Sequence, residues 1–378
     1  AHIADFFMPK LFFQFHFSVC ICLFQQYLNA SISHSTRGQF MNLKVAVIGL
    51  RMGHSWAVAA NDMPNTSLSL VYDKYYHENK LIPHGFYTDK GIRVAQSEEE
   101  IYQSDADIVV VASPDHFHTE QCCLALQAGK HVACEKPLAP SVAECRKIID
   151  AVEKSGRFFM TGQVCRYAPG FKLAKHLIEA GRIGDICYIE SEYAHDYSKA
   201  GGYLDWRKDP KVKRQGFLGG GCHALDLTRW LAGDPEEVFC YMNQKHLPNW
   251  PTPDTGVAVA KFPNQAIGRI FVSVGVKRPY TMRTVINGTK GTIICDNTSD
   301  HIQICESDVC EAASALKFSQ IPVNIANHNV RSELEEFVSY IARGEQCPTD
   351  VYEGTKTVAF AEAAIASAKS GKPEKICF

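Results

Sequence analysis

The sequence predicts an α/β protein in two parts. Residues 41–162 form a doubly wound parallel sheet, and residues 163–378 form a C-terminal α/β domain with a large open, mostly antiparallel sheet. Three observations predict this. A buried-strand pattern at residues 44–48 runs into a glycine turn, Gly49-Leu50-Arg51-Met52-Gly53, that opens a helix. Strands and helices then alternate to about residue 162, and such alternation joins parallel strands by crossovers. Beyond that point strand-like segments follow one another with few helices between them.

In chain order, residues 45–49 are a buried strand, 53–63 a helix and 68–73 a second strand. Residues 107–112 are a near-continuous β-branched run, as expected of a strand covered on both faces. A helix over 120–127 stops near Gly129, and residues 131–134 are the next strand. Ser141 and Glu144 make a capping box, which starts a helix to about Lys154 with Gly156 behind it. A strand over 158–160 closes this part. In the second part, Phe171, Ala174, Leu177 and Ile178 have helical spacing, closed by Gly181. Strands are expected at 186–193, 238–242, 256–262, 267–276, 281–286, 292–295 and 302–305, with a helix over 223–231 among them. Helices over 330–342 and 352–369 end the chain.

The length of 378 residues suffices for two domains with full cores, and 46% hydrophobic with 21% charged residues is an ordinary globular composition. The net charge of −2 and the lack of a basic stripe argue against nucleic acid and anionic membrane as partners. None of the 15 cysteines forms a CxxC pair or another zinc spacing, so no metal is expected. Buried free thiols in a reducing compartment, the cytoplasm, are the expectation. Residues 1–40 do not match the rest. Their apolar run at 11–24 is broken by Gln14 and His16 and is too short to span a bilayer. Met41 stands directly before the first strand, so 1–40 are expected to be a non-native or disordered leader and are left out of the fold reasoning.

The most informative residue is Lys136, in Glu135-Lys136-Pro137 at the carboxyl end of the strand 131–134. Open α/β sheets bind ligands at that edge. A lysine there can hold an oxygen and shift a proton, and beside a positive nicotinamide ring its pKa should fall. The turn Gly49, Leu50, Arg51, Met52, Gly53 is a G-x-x-x-G in place of the full G-x-G-x-x-G fingerprint, with Arg51 at the middle glycine or one residue lost. Asp73, 20 residues past Gly53, stands where an acid accepts ribose hydroxyls and repels a 2′-phosphate, which selects NAD over NADP. Ser113-Pro114 and His118 follow the strand 107–112 at the same edge, near the expected nicotinamide ribose. Spacing alone fits equally a polar connection with His118 as a cap. Gly219-Gly220-Gly221 precede His223, and small residues let a backbone approach a ligand closely. His223 is the natural acid–base group for an alcohol near neutral pH, although a core histidine at a helix start has the same spacing.

Residues 44–53, Ser113-Pro114, Glu135-Lys136-Pro137, Gly181-Arg182-Ile183-Gly184, Trp206-Arg207 and 219–226 together resemble the glucose–fructose oxidoreductase, inositol dehydrogenase and MocA (Gfo/Idh/MocA) family over about residues 41–376. The resemblance implies an N-terminal Rossmann domain and a C-terminal sheet that carries homodimer or homotetramer contacts. It implies an NAD(P)-dependent oxidoreductase acting on a secondary alcohol of a sugar, polyol or inositol-like substrate. Within it Glu135 and Lys136 contact the cofactor, Lys136 and His223 are catalytic, and Arg166, Tyr167, Trp206 and Arg207 lie near nicotinamide and substrate. The family aspartate four residues before the histidine falls on Gly219 and is missing. Two other activities of such chains stay open: an NAD-assisted glycosidase, and a non-catalytic NAD-binding sensor.

Overall fold

The computed structural model describes residues 42–79, 82–198, 206–307, 316–325 and 328–378, so the leader expected at 1–40 lies outside the described residues. The first sheet has six strands, all parallel. They are β1 (Leu43–Ile48), β2 (Thr66–Tyr72), β3 (Arg93–Val94), β4 (Ile108–Val111), β5 (His131–Glu135) and β6 (Phe159–Gly162). Their order, β3-β2-β1-β4-β5-β6, is that of a doubly wound sheet. Strand β4 is buried at every position, which explains its unbroken Ile-Val-Val-Val sequence. Its crossover helices are α1 (Gly53–Asp62), α2 (Glu98–Tyr102), α3 (His118–Gln127) and α4 (Val142–Ser155). The Ser141 hydroxyl accepts from the Glu144 N–H, and Gly156 ends α4 at φ +63. Strand β3 and helix α2 were not expected, because two and five residues are too short to show a period.

The second sheet has nine strands in the order β14-β13-β12-β11-β7-β10-β9-β8-β15. They are β7 (Ile186–Ala194), β8 (Glu237–Asn243), β9 (Thr255–Lys261), β10 (Ile267–Ser273), β11 (Thr281–Gly288), β12 (Gly291–Asp296), β13 (His301–Glu306), β14 (Ser319–Pro322) and β15 (Glu374–Lys375). Every pairing is antiparallel except β7 with β10. Its strands alternate buried and open positions, as in β9, so one face packs and the other does not. The packed face is covered by α5 (Pro169–Glu179), α6 (Gly216–Gly219) and α7 (Cys222–Ala232). The last helices, α8 (Val330–Arg343) and α9 (Val351–Ser370), return to the first sheet. Helix α8 packs on α1, and α9 is wedged between α4 and β6 on one side and α7 and β8 on the other. These two helices hold the carboxyl edge of the parallel sheet against α7.

Candidate active site

Four strand ends supply the site. After β1 the chain turns at Gly49, at φ +83 and so close to the end of β4 that a Cβ would stand 2.7 Å from the Ala112 carbonyl. Gly53 lets α1 approach the sheet, since a Cβ there would stand 2.8 Å from Val47. These are the first and last glycine roles of a dinucleotide turn. Leu50 is buried and its N–H donates to Asp73 Oδ2 at 2.6 Å, while the Tyr75 N–H donates to Oδ1 at 2.8 Å. Arg51 and Met52 are half-buried at the mouth of the turn. Each carboxylate oxygen of Asp73 keeps a further lone pair, so the turn and the acid fit a dinucleotide with an arginine in the middle position.

His118 is placed differently from a ligand-contacting group. It is fully buried, and its Nδ1 and Nε2 each lie 2.9 Å from a carbonyl, of Pro137 and of Ser113. It ties the loop after β4 to the loop after β5. Ser113 bonds Gln121 through its hydroxyl, and Pro114 leads into the turn Asp115–Phe117. Glu135 is buried and accepts from Trp56 Nε1 at 2.9 Å and from the Lys136 N–H at 3.2 Å, which fixes the backbone that presents Lys136. Lys136 itself is partly exposed. Burial opposes its charge, but Cys222, Glu135 and Tyr197 outweigh burial and hold its pKa above the usual lysine value, with Arg214 acting the other way. The Cys222 thiol is pushed to about 12, chiefly by burial. It is therefore neutral near pH 7. The chain's own groups thus keep Lys136 cationic, against the lowering expected from a positive ring.

His223 stands in the first turn of α7, fully buried, with its ring 5.7 Å from that of Tyr193 and nearly parallel to it. Burial, then the charge of Lys136, holds its pKa well below the usual histidine value, so the ring is neutral. Its Nδ1 lies 3.2 Å from Cys165 Sγ, and that thiol in turn donates to Met282 Sδ at 3.2 Å. Burial keeps Cys165 a thiol. With the thiol proton directed at Met282, the sulfur accepts from Nδ1–H, and Nε2 carries the lone pair. Nε2 is buried and has no partner among the described residues. A neutral imidazole with an unpaired Nε2 is a base ready to take a proton. A small cavity beside it is lined by Lys136, Pro137, Gln163, Cys222, His223 and Thr357.

Other expected residues do different work. Arg166 is buried and bonds Asp226 Oδ2 at 2.9 Å and Oδ1 at 2.6 Å, and Glu353 Oε2 at 2.9 Å. Arg229 and Thr357 join the same network. Arg166 is therefore committed to clamping α7 to α9. Tyr167 is buried, with its hydroxyl 3.1 Å from Thr349 Oγ1. Trp206 and Arg207 are half-buried at the rim, with the Arg207 guanidinium 5.5 Å from the Tyr197 ring. The three glycines give way to the protein rather than to a ligand. A Cβ on Gly220 would stand 2.5 Å from Tyr193, one on Gly221 2.1 Å from the Phe217 carbonyl, and one on Gly219 2.1 Å from the Arg214 guanidinium carbon.

Sequence reasoning missed an aromatic wall around His223. Tyr193 bonds Tyr197 at 2.8 Å and His195 at 3.2 Å, and Tyr280 lies 3.2 Å from His328 Nε2. Burial, then Lys136 and His195, pull His328 to about 4. The signal was present in Tyr193, His195 and Tyr197, which recur at period two and so share one face of an extended chain. Glu333 on α8 gave no signal. It is fully buried, neither carboxyl oxygen has a partner among the described residues, and burial, then Glu135, raises its pKa well above the usual carboxyl value. It is held protonated. A group whose folded pKa is raised contributes stability below its unfolded pKa, near 4.5, and loses it as pH rises toward the folded value, at about 1.4 kcal/mol per pH unit. Glu333→Gln resembles the protonated acid and removes that slope. Urea midpoints should favour the variant more at pH 8 than at pH 5, whereas an equal difference at both would show Glu333 to be ionised in the fold.

Comparison with known proteins places the fold in a known family. A family model described as an oxidoreductase family with an NAD-binding Rossmann fold matches residues 43–163. The GFO/IDH/MocA C-terminal domain model matches residues 171–294. An uncharacterized oxidoreductase of Streptococcus pneumoniae is 37% identical over 150 residues, 39% of this chain and 40% of its own. Levoglucosan dehydrogenase of Pseudarthrobacter phenanthrenivorans is 31% identical over 198 residues, 50% of this chain and 49% of its own. In both alignments the chain spans less than half of the relative. Inositol 2-dehydrogenase 1 of Saccharopolyspora erythraea is 26% identical over 295 residues, 76% of this chain and 82% of its own. Among solved structures, levoglucosan dehydrogenase in complex with NADH superposes with a TM-score of 0.80 at 23% identity, over 89% of this chain and 100% of that one, which shows a shared fold.

Proposed function

Because the chain belongs to the Gfo/Idh/MocA family of oxidoreductases, whose N-terminal part is an NAD-binding Rossmann fold, we propose that it is an NAD-dependent dehydrogenase of a secondary alcohol on a sugar, polyol or inositol-like substrate. The observation that carries this reading is the neutral His223, with its unpaired Nε2, beside the cationic Lys136 at the carboxyl edge of the parallel sheet. Relatives named levoglucosan dehydrogenase and inositol 2-dehydrogenase support the substrate class.

NAD, when bound, supplies the hydride acceptor. The turn Gly49–Gly53 with Asp73 would hold its dinucleotide, and the loops after β4 and β5 would flank its reactive end. The chain does the rest. Lys136 donates to the substrate oxygen and stabilises the negative charge that grows there as the carbon–hydrogen bond weakens. His223 takes the hydroxyl proton at Nε2 while Cys165 holds its Nδ1–H. In the reverse direction the same Nε2 returns the proton. Glu135, tied to Trp56, and His118, tied to Pro137, fix the loop that aims Lys136.

The test is absorbance of the reduced nicotinamide with NAD and with NADP across inositols, aldoses and sugar acids. A signal with one class names the substrate. Silence across the panel, with NAD binding verified by a thermal shift, would favour a glycosidase or a sensor. Asp73→Ala should lose most of the preference for NAD over NADP, by about 10-fold or more, because the acid that repels a 2′-phosphate is gone. An unchanged preference would mean that Asp73 does not meet the ribose.

Two further assignments belong to this reading. The open face of the second sheet exposes Tyr241, Val257, Val259 and Ile267, an apolar strip suited to a homodimer or homotetramer contact. A monomer in sedimentation at micromolar concentration would remove that assignment. None of the described helices is long and apolar enough to cross a membrane; the described cysteines are free thiols, and these thiols support the assignment of a cytoplasmic location. Recovery from an oxidising compartment would remove it.

A further inference from the structure

Arg214 has no part in the reading above, yet it is among the most enclosed charges in the molecule. Its side chain is 8% exposed and that of Asp115 13%. Its Nε donates to Asp115 Oδ2 at 2.7 Å, the guanidinium carbon lies 5.1 Å from the Trp206 ring, and the Thr252 hydroxyl donates to its backbone carbonyl at 2.8 Å. The guanidinium fills the space beside Gly219, where the Cβ of any other residue would lie 2.1–2.4 Å from its carbon and both terminal nitrogens. Gly219 is four residues before His223, and Arg214 and Lys136 both act on Cys222 and both feel Tyr197. The guanidinium thus lies within electrostatic reach of Cys222, which lines the small cavity together with Lys136 and His223. Its Nη1 is buried and has no acceptor among the described residues.

A buried N–H on a cation is costly to leave unpaired. The groups that converge here are poor partners for one another. Arginine and lysine only donate, and the carboxylate of Asp115 already takes the guanidinium through Nε. A neutral polyol would bring hydroxyls that must donate as well as accept. A carboxylate brings two oxygens that only accept, in the planar geometry that suits the open fork of a guanidinium.

Taking the site as that of a nicotinamide-linked alcohol dehydrogenase, we propose that Arg214 binds a carboxylate of the substrate, so that the substrate is a sugar acid rather than a neutral sugar or polyol. Asp115 and Trp206 are positioning residues that fix the guanidinium. Gly219 is required because any side chain there would displace it.

The test is calorimetric binding, with NAD present, of matched pairs: glucuronate against glucose, galacturonate against galactose, and gluconate against sorbitol. Glucose 6-phosphate is a third arm. The acids should bind about 10- to 100-fold more tightly than their neutral partners, the range of a charge-assisted hydrogen bond. Arg214→Met should abolish that preference. Asp115→Asn with Arg214→Met leaves no unpaired buried charge and replaces the single variant if that one fails to fold. Neutral sugars binding as well as acids would overturn the assignment, as would a preference that survives in the variant or tighter binding of the phosphate. Loss of NAD affinity with the acid preference intact would also overturn it and give the guanidinium to the cofactor. Reduced-nicotinamide absorbance on the same compounds separates the two readings. Arg214-dependent binding of acids without turnover would sink the dehydrogenase and keep the carboxylate site. Turnover of neutral sugars independent of Arg214 would do the reverse.

Discussion

Lys136→Ala is expected to lower kcat by about 100- to 10,000-fold while NAD binding is retained. The separation follows from where the lysine acts. In the proposed mechanism its ammonium meets the substrate oxygen, where negative charge is small in the ground state and large in the transition state, so its removal costs rate more than affinity. In the proposed reading the dinucleotide would be held by other parts of the chain, the turn at Gly49 and the carboxylate of Asp73. The fold should survive, because Lys136 is partly exposed and the residues that brace its loop, Glu135 with Trp56 and His118 with Pro137, are untouched. Steady-state kinetics with a thermal shift for NAD decides the matter. Turnover within a few-fold of the parent would remove Lys136 from the chemistry, and lost NAD binding would make it a cofactor ligand.

Arg166→Ala is expected to destabilise the protein by about 3–5 kcal/mol. The guanidinium is buried against Asp226 and Glu353, and its removal strands Asp226 as a buried anion. The neighbouring Arg229 compensates little, because its guanidinium approaches Asp226 only to 3.8 Å and already serves Asp234 and Glu353. Combining Arg166→Met with Asp226→Leu should recover most of the loss, since a buried ion pair exchanged for apolar groups of similar size is often neutral. Urea denaturation of the single and double variants measures both effects. A single variant of parental stability with a raised KM would instead return Arg166 to the substrate, the role the family resemblance implies. The same network holds Glu353 at about 2, burial being outweighed by Arg229 and Arg166. A depressed carboxyl contributes stability above its unfolded pKa, near 4.5, and loses it as pH falls toward 2, so the parent should soften in acid across that window.

What the sequence determined by itself was the order of layers and the sheet edge that carries the candidate site. Buried runs such as 108–111, helical spacing and the Ser141 cap are local patterns, legible over a few residues because period and capping need no distant partner. Lys136 could be placed at a strand end for the same reason. Tertiary structure decided which polar groups keep unspent hydrogen-bonding capacity and which are consumed in holding the fold. Arg166 and Asp226 are 60 residues apart and spend themselves on each other, although both fall in segments that read as site residues. Arg214 meets Asp115 across 99 residues and takes the space beside Gly219, and Cys165 reaches His223 across 58. A side chain's role depends on whether its hydrogen-bonding capacity is already spent when the chain closes, and that is settled by contacts between distant segments that no local pattern contains.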